Sequence, residues 1–399
     1  MPEVVLGIDF GTSCTSAGTL VGDKVELVRD NSDPVIPTVV YVPERGDVEI
    51  GRPAVLRQQS NPSRVVRSVK RLLGLAPHDE LVRRYIASSS ARVDTTGEKL
   101  MYKLGNQAYA PEQIAASVLN RVRELAERRF GGKISKCVVT LSAAAPPGYR
   151  DAIIRAGRIA HIDIVELVAE PIAGALAVGL HATSASRRLL VLDFGGGTFD
   201  ATAIVQEGMK FTPAATFGDS LLGGDDLDDA FAEALAGAVV RQYGVDMHKD
   251  VAKFAELRYR CEQTKRILSS REVAQFTMSE AFVHAGRPKS LDLKIDRPWI
   301  EDRWKPLFDR AIDVVDECLR QAGWSDEHVD AVALIGGTSL VPKFQSLIAE
   351  KFGKERVTVS PDADLAVAMG ASLLTVRHGG APRHVPVLTA PAAAAAGSR

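Results

Sequence analysis

No charge of one sign dominates this chain. Its 49 lysines and arginines face 50 aspartates and glutamates, a net charge of −1, which removes any chain-wide electrostatic argument for nucleic acid or an anionic membrane. Long apolar runs are missing too: none reaches the roughly 18 residues that a membrane-spanning helix needs. Cysteine is scarce, and Cys14, Cys137, Cys261 and Cys318 stand too far apart for a disulfide scaffold or a zinc knuckle. None of the eight histidines shows metal-ligand spacing. The start, Met1-Pro2-Glu3-Val4, lacks the basic-then-apolar pattern of a signal peptide. These absences disfavour membrane-spanning, fibrous, disordered and extracellular classes, and make a reducing, cytoplasmic location the expectation. What remains is 46% hydrophobic and 25% charged over 399 residues, the composition of a globular chain and the length of two or three domains.

Residues 4–10 form an apolar run that breaks at Gly11-Thr12-Ser13 and resumes through 15–21 and 24–28, which reads as a strand, a tight turn and returning strands. Residues 188–205 repeat the pattern, with Asp193-Phe194-Gly195 answering Asp9-Phe10-Gly11. The separation is too long for a solenoid repeat and predicts two related lobes on similar sheets. Helical patterns lie between. Pro111 opens one that carries Ile114, Val118, Val122 and Leu125 on one face, and Gly131-Gly132 closes it. Residues 149–160 read as helix, 136–141 and 165–168 as strands, and Pro171 starts a helix of mostly alanine and glycine. Further on, 227–243, 251–269 and 300–322 read as amphipathic helices, 272–296 as short alternating strands, and 329–335 as a buried strand broken by Gly336-Gly337. The alternation predicts an α/β architecture. From Arg377 the chain is rich in glycine, proline and alanine, too poor in large apolar residues for a core.

An aspartate ending a buried strand before Gly-Thr or Gly-Gly-Gly-Thr is a phosphate-and-metal device. Glycine lets backbone N–H groups approach phosphate oxygens, hydroxyls add hydrogen bonds, and the carboxylate suits hydrated Mg2+. One such turn is equally explained as a structural hairpin; two facing copies would clamp a triphosphate. No Gly-x-x-x-x-Gly-Lys-Ser/Thr loop and no Gly-x-Gly-x-x-Gly is present. Asp-Phe-Gly also occurs in protein kinases, but no His-Arg-Asp loop accompanies it.

These turns stand in an ordered set: Gly7 to Ser13; Val69-Lys70-Arg71-Leu72-Leu73-Gly74; Glu170-Pro171-Ile172-Ala173-Gly174-Ala175; Asp193 to Asp200; Gly218-Asp219 with Gly223 to Asp228; Cys261 to Ser270; and Ile335 to Ser339 with Asp362 to Gly370. Over residues 4–376 the chain resembles the nucleotide-binding (ATPase) domain of the 70-kDa heat-shock chaperones, without a recognisable peptide-binding domain. The resemblance implies an actin-like ATPase fold. Its first lobe would be 1–185 (core 1–38 and 106–185, inserted subdomain 39–105). Its second would be 186–376 (core 186–222 and 304–376, inserted subdomain 223–303). Nucleotide would sit between the lobes, and 377–399 would be a flexible tail or truncated linker, in which His384 to Thr389 faintly resembles the family's apolar linker.

The same resemblance implies ATP or ADP, Mg2+ and K+ as ligands and slow hydrolysis that switches lobe closure. Lys70 would stabilise charge on the γ-phosphate, and Glu170 would orient or deprotonate the water. Asp9, Asp193 and Glu170 would hold Mg2+ mainly through water. Thr198 and Asp200 would line the attacking water. Gly11, Thr12, Ser13, Cys14, Gly196, Gly197, Gly223, Gly224, Gly337 and Thr338 would cradle the nucleotide. Glu262, Lys265 and Ser269, on one helix face, would meet ribose and adenine, Arg266 would stack on the base, and Asp364 would face the adenosine. Without the resemblance, Lys70 reads as a solvated lysine between Arg67 and Arg71, Glu170 as a helix N-terminal carboxylate, and Asp364 equally as a helix cap.

Three positions depart from the family pattern. Leu340 replaces an arginine on the adenine face. Ser142, in Val138 to Arg150, replaces a proline that relays nucleotide state, while Arg150 matches the interdomain arginine. Glu166 replaces an arginine that helps engage the J-domain co-chaperone, and a reversed sign should weaken docking. These departures are expected to spare the catalytic residues and fall on coupling surfaces. A J-domain co-chaperone, a nucleotide-exchange factor and a client or partner protein are the implied partners, with no nucleic acid and no membrane span. A non-catalytic nucleotide-dependent regulatory or scaffold module is the alternative reading. A small-molecule kinase of the same superfamily is a third, for which no sugar-kinase motif is found.

Overall fold

The computed structural model describes residues 4–379 except 23, 59, 143–144, 178–185, 209 and 361. The expected tail from 380 onward, with His384 to Thr389, lies outside the described residues.

Two sheets frame the molecule. In the first, β1 (Val5–Phe10), β2 (Cys14–Val21) and β3 (Lys24–Leu27) form an antiparallel meander. Beside β1, β4 (Lys136–Leu141) and β5 (Asp163–Ala169) continue the sheet in parallel. The order is β5-β4-β1-β2-β3, with the short strand Ile36–Pro37 also paired to β2. The second sheet repeats this plan. Its meander is β6 (Arg187–Phe194), β7 (Phe199–Glu207) and β8 (Lys210–Asp219), and β9 (Ala331–Ile335) and β10 (Val357–Val359) run parallel to β6. The order β10-β9-β6-β7-β8 matches the first strand for strand. Central strands of such sheets are covered on both faces and so read as continuous apolar runs, as β1 and β6 do.

Helices cover the sheets: α1 (Pro111–Phe130), α2 (Tyr149–Ile159), α3 (Glu170–Ala177), α4 (Gly224–Tyr243), α5 (Val251–Ser270), α6 (Arg297–Ala322), α7 (Pro342–Phe352) and α8 (Ala366–Leu374). In α1 the apolar stripe Ile114, Val118, Val122 and Leu125 is buried as its spacing requires. Asp250 caps α5 by accepting from the Lys253 N–H at 3.0 Å, and Asp296 caps α6 through the Trp299 N–H at 2.8 Å. The segment 272–296, expected as several short strands, is one long hairpin, Val273–His284 with Arg287–Asp296.

The core falls into two large clusters, one on each sheet, and a third between them. That third cluster joins Val138 and Val168 of the first sheet, Val191 and Ile335 of the second, Ala173 and Leu176 of α3, and Val367 and Leu374 of α8. Helix α8, placed by the sequence in the second lobe's core, lies against α3, β1 and β2 of the first. Glycine makes this contact: a Cβ on Gly370 would fall 1.8 Å from the Ala173 carbonyl oxygen, and one on Gly7 would fall 2.2 Å from the Ser372 nitrogen.

Candidate active site

The turn after β1 (Gly11, Thr12, Ser13) and the turn after β6 (Gly195, Gly196, Gly197) face each other. Their approach is so close that a Cβ on Gly196 would lie 2.0 Å from Ser13 Oγ, and one on Gly197 2.3 Å from Thr12 Cγ2. Two further loops tie to the second turn. The Asp225 N–H donates to the Gly196 carbonyl at 2.7 Å, and Thr338 Oγ1 donates to the Gly195 carbonyl at 2.8 Å. Ser13 Oγ donates to Asp225 Oδ1 at 3.0 Å, linking the two lobes directly.

Between these turns lies a cavity of about 330 Å3. It is lined by every predicted site residue except two. Gly223 backs the wall: a Cβ there would meet the Gly196 carbonyl at 2.5 Å. Asp200, paired in register with Asp193, is fully buried behind the cavity. Cavity residues that the sequence did not offer are Gly195, Gly336, Asp225, Asp228, Val341, Ala363 and Val367. Asp225 and Asp228 stood within a matched motif, three apart at the start of a helix, and that spacing was the available signal. Ala363 and Val367 stood within the matched segment Asp362 to Gly370, while Val341 lay outside every motif. A larger opening of about 430 Å3, beside Arg67, Arg71 and Arg258, contains none of the glycine turns.

The floor is electrostatic. Lys70 sits in a short turn, Val69–Leu72, entered through Ser68 at φ +50°, a left-handed conformation that turns the chain inward. The side chain is 6% exposed, and its Nζ donates to Glu170 Oε1 at 2.5 Å. Burial works against the lysine charge, but Glu170, with Tyr149 and Asp9, outweighs it and holds the pKa above the ordinary lysine value. Asp9 accepts from Thr140 Oγ1 at 3.0 Å. Burial and then Glu170 push its pKa up to about 7. Asp193 is likewise raised well above the carboxylate range by burial, then by Glu170 and Asp200. Three cavity carboxylates therefore face one ammonium, and ionising all three is unfavourable until a cation offsets the charge.

Among the described residues no group of three or more His, Cys, Asp or Glu side chains converges closely enough to grip an ion directly. Oxygen donors around a cavity, ionising fully only beside a cation and forming no tight cage, fit Mg2+ carrying most of its own water. The donor set of Asp9, Asp193 and Glu170 matches that chemistry and no softer metal.

The other end of the cavity is built for a flat, partly apolar group. Glu262, Lys265, Arg266 and Ser269 of α5 form one wall. Lys265 Nζ is held at 2.8 Å from both the Gly224 carbonyl and Asp228 Oδ2. Arg266 donates to Glu262 Oε1 at 3.2 Å and remains half exposed. Opposite stand Leu340, Val341, Ala363 and Val367. Asp364 also lines the cavity, and a Cβ on Gly337 would lie 2.0 Å from its Oδ1. It is not a helix cap: α8 begins after Leu365 with no side-chain cap bond. Cys14, half buried here, has its thiol pushed up to about 12 by burial, and so is a neutral wall residue.

A family model described as Hsp70 protein matches residues 5–388. The chain belongs to the Hsp70 family. It is a chaperone-type ATP-binding protein with the actin-like ATPase fold, and the two like sheets with a cavity between them are that fold's two lobes. Hsp70 proteins are generally ATPases that bind ATP or ADP with Mg2+ and work with co-chaperones. No helix among the described residues of this Hsp70 is long and apolar enough to cross a membrane.

Two departures from the family pattern change meaning in this Hsp70. Glu166 on β5 accepts from Arg377 Nη1 at 3.2 Å and lies 2.7 Å from His378 Nε2, so the reversed charge is answered by the chain's own closing turn. Ser142, expected to spare the catalytic residues, touches a residue that the resemblance places among them: its Oγ donates to Asp200 Oδ2 at 2.6 Å.

Proposed function

We propose that this Hsp70 hydrolyses ATP slowly in the interlobe cavity and uses the nucleotide state to set lobe closure. The observation that carries the reading is the buried Lys70–Glu170 pair at the meeting point of the two glycine turns, beside Asp9 and Asp193. In a loose phosphoryl transition state charge spreads over the γ-phosphate oxygens, and catalysis is mostly positioning and electrostatics. The Lys70 ammonium, kept protonated by Glu170, stabilises that charge. The Glu170 carboxylate orients the attacking water and accepts its proton. Backbone N–H groups of the two turns and the Thr12, Ser13 and Thr198 hydroxyls hold the phosphate oxygens. Asp9, Asp193 and Glu170 would accept hydrogen bonds from the waters of Mg2+. When bound, Mg2+ neutralises phosphate charge and fixes the oxygens in line. Arg266 stacks on the base, and Leu340 gives it an apolar wall in place of a second cation. Because water is the acceptor and the lobes must move, turnover is a timing step, not a metabolic flux. Glu166, already paired with Arg377 and His378, replaces a cation with an occupied ion pair where a J-domain partner would dock, and stimulation by such a partner is weak.

Calorimetric titration with ADP, in Mg2+ and in EDTA, tests the ligand assignment. The reading expects saturable binding with Mg2+ that weakens by about tenfold or more in EDTA. No binding in either buffer overturns it.

A further inference from the structure

Ser142 stands at the end of β4 in the first lobe and Asp200 on β7 in the second. Both are buried, at 2% and 0% exposure. Their hydrogen bond, Ser142 Oγ donating to Asp200 Oδ2, is 2.6 Å long, within the range of O–H···O bonds. Its two ends sit on different lobes, so it exists only while the lobes hold this relative position. Ser142 also lines a small cavity of about 30 Å3 together with Thr12, Lys70, Tyr149 and Thr198. That space exceeds the roughly 10–15 Å3 one ordered water requires. It shares Thr12, Lys70 and Thr198 with the lining of the nucleotide cavity.

We infer that Ser142 is a positioning residue for ATP hydrolysis. Its hydroxyl, at the edge of the water-sized space, fixes the Asp200 carboxylate across the lobe junction, so that the carboxylate is held in place only when the lobes are closed. The inference rests on the ATPase reading of the cleft. No bond is made or broken by Ser142 itself; it donates one hydrogen bond before and after the chemical step.

The test is single-turnover ATP hydrolysis with Mg2+ by the wild type, Ser142→Ala, Ser142→Thr, Asp200→Asn and the Ser142→Ala/Asp200→Asn double variant, with ATP affinity measured beside each rate. The expected result is a rate constant about tenfold lower in Ser142→Ala, ATP affinity within about twofold, and most of the rate restored in Ser142→Thr. In the Asp200→Asn background, removal of the hydroxyl should have no further effect, because the two residues act as one unit. A wild-type rate in Ser142→Ala overturns the inference. So does an equal loss on removing the hydroxyl with or without the Asp200 carboxylate, or a Thr variant as slow as the Ala variant. A wild type that binds ATP but never hydrolyses it removes the ATPase reading and this inference together, an outcome distinct from a wild type that hydrolyses while Ser142→Ala matches it.

Discussion

Asp228 is 3% exposed in the cavity wall. One of its oxygens accepts from Lys265, and the other, Oδ1, is buried with no hydrogen-bond partner among the described residues. Burial, against the pull of Lys265, pushes its pKa up to about 7 from the ordinary 3.8. The folded protein therefore holds this proton more tightly than the unfolded chain does. Its contribution to stability is present at low pH and is lost as pH rises from the unfolded toward the folded value. Asp228→Asn removes that dependence. Between about pH 4 and 7 the ligand-free variant should lose stability with pH less steeply, by up to about 1.4 kcal/mol per pH unit. Urea unfolding across that window checks it, and parallel slopes would contradict it. At this scale the sequence was legible where a residue type implies its chemistry, as at Asp9 and Asp193, and illegible where burial decides. Lys70 between two arginines reads as solvated, because nothing local announces that a left-handed Ser68 turns it under Glu170. Ser142 reads as a lost proline, because its partner lies on another strand of another lobe.

The elements that join the two sheets are the two glycine-and-alanine helices, α3 and α8. Each has small residues at the contact, which lets their backbones touch between the two sheets. Their helical periods and start signals could be read locally. Which helix meets which could not, since the partners are far apart in the chain and small residues carry no pairing code. The contact predicts a contrast. A Cβ on Gly370 meets the Ala173 backbone at 1.8 Å, whereas one on Gly174 meets the flexible end of Ile335, Cδ1, at 2.2 Å. Gly370→Ala must move a helix and should cost about 1–3 kcal/mol. Gly174→Ala needs only a side-chain rotation and should cost less. Chemical denaturation of both variants decides, and equal losses would show that α8 does not pack rigidly on α3.

At the scale of the whole molecule, the repeated Asp-Phe-Gly turns betrayed a duplicated sheet, because strand, turn and glycine all follow from local chemistry. The crossing of α8 back to the first lobe was not visible, since it depends on the final assembly. Several bonds hold the lobes together over the cavity: Arg71 donates to the Gly197 carbonyl at 2.9 Å and to Asp226 at 2.8 Å, Arg67 pairs with Glu262 at 3.4 Å, and Ser13 reaches Asp225. Arg71 directly follows Lys70, so the interlobe bonds and the placing of the Lys70 ammonium share one turn of chain. On the proposed function, lobe position and phosphate chemistry would be coupled through that turn. Single-turnover hydrolysis of bound ATP, wild type beside Lys70→Ala, tests that account most directly. The account predicts slow hydrolysis in the wild type and a loss of about a hundredfold or more in the variant, with nucleotide still bound. Hydrolysis by Lys70→Ala at the wild-type rate would contradict it.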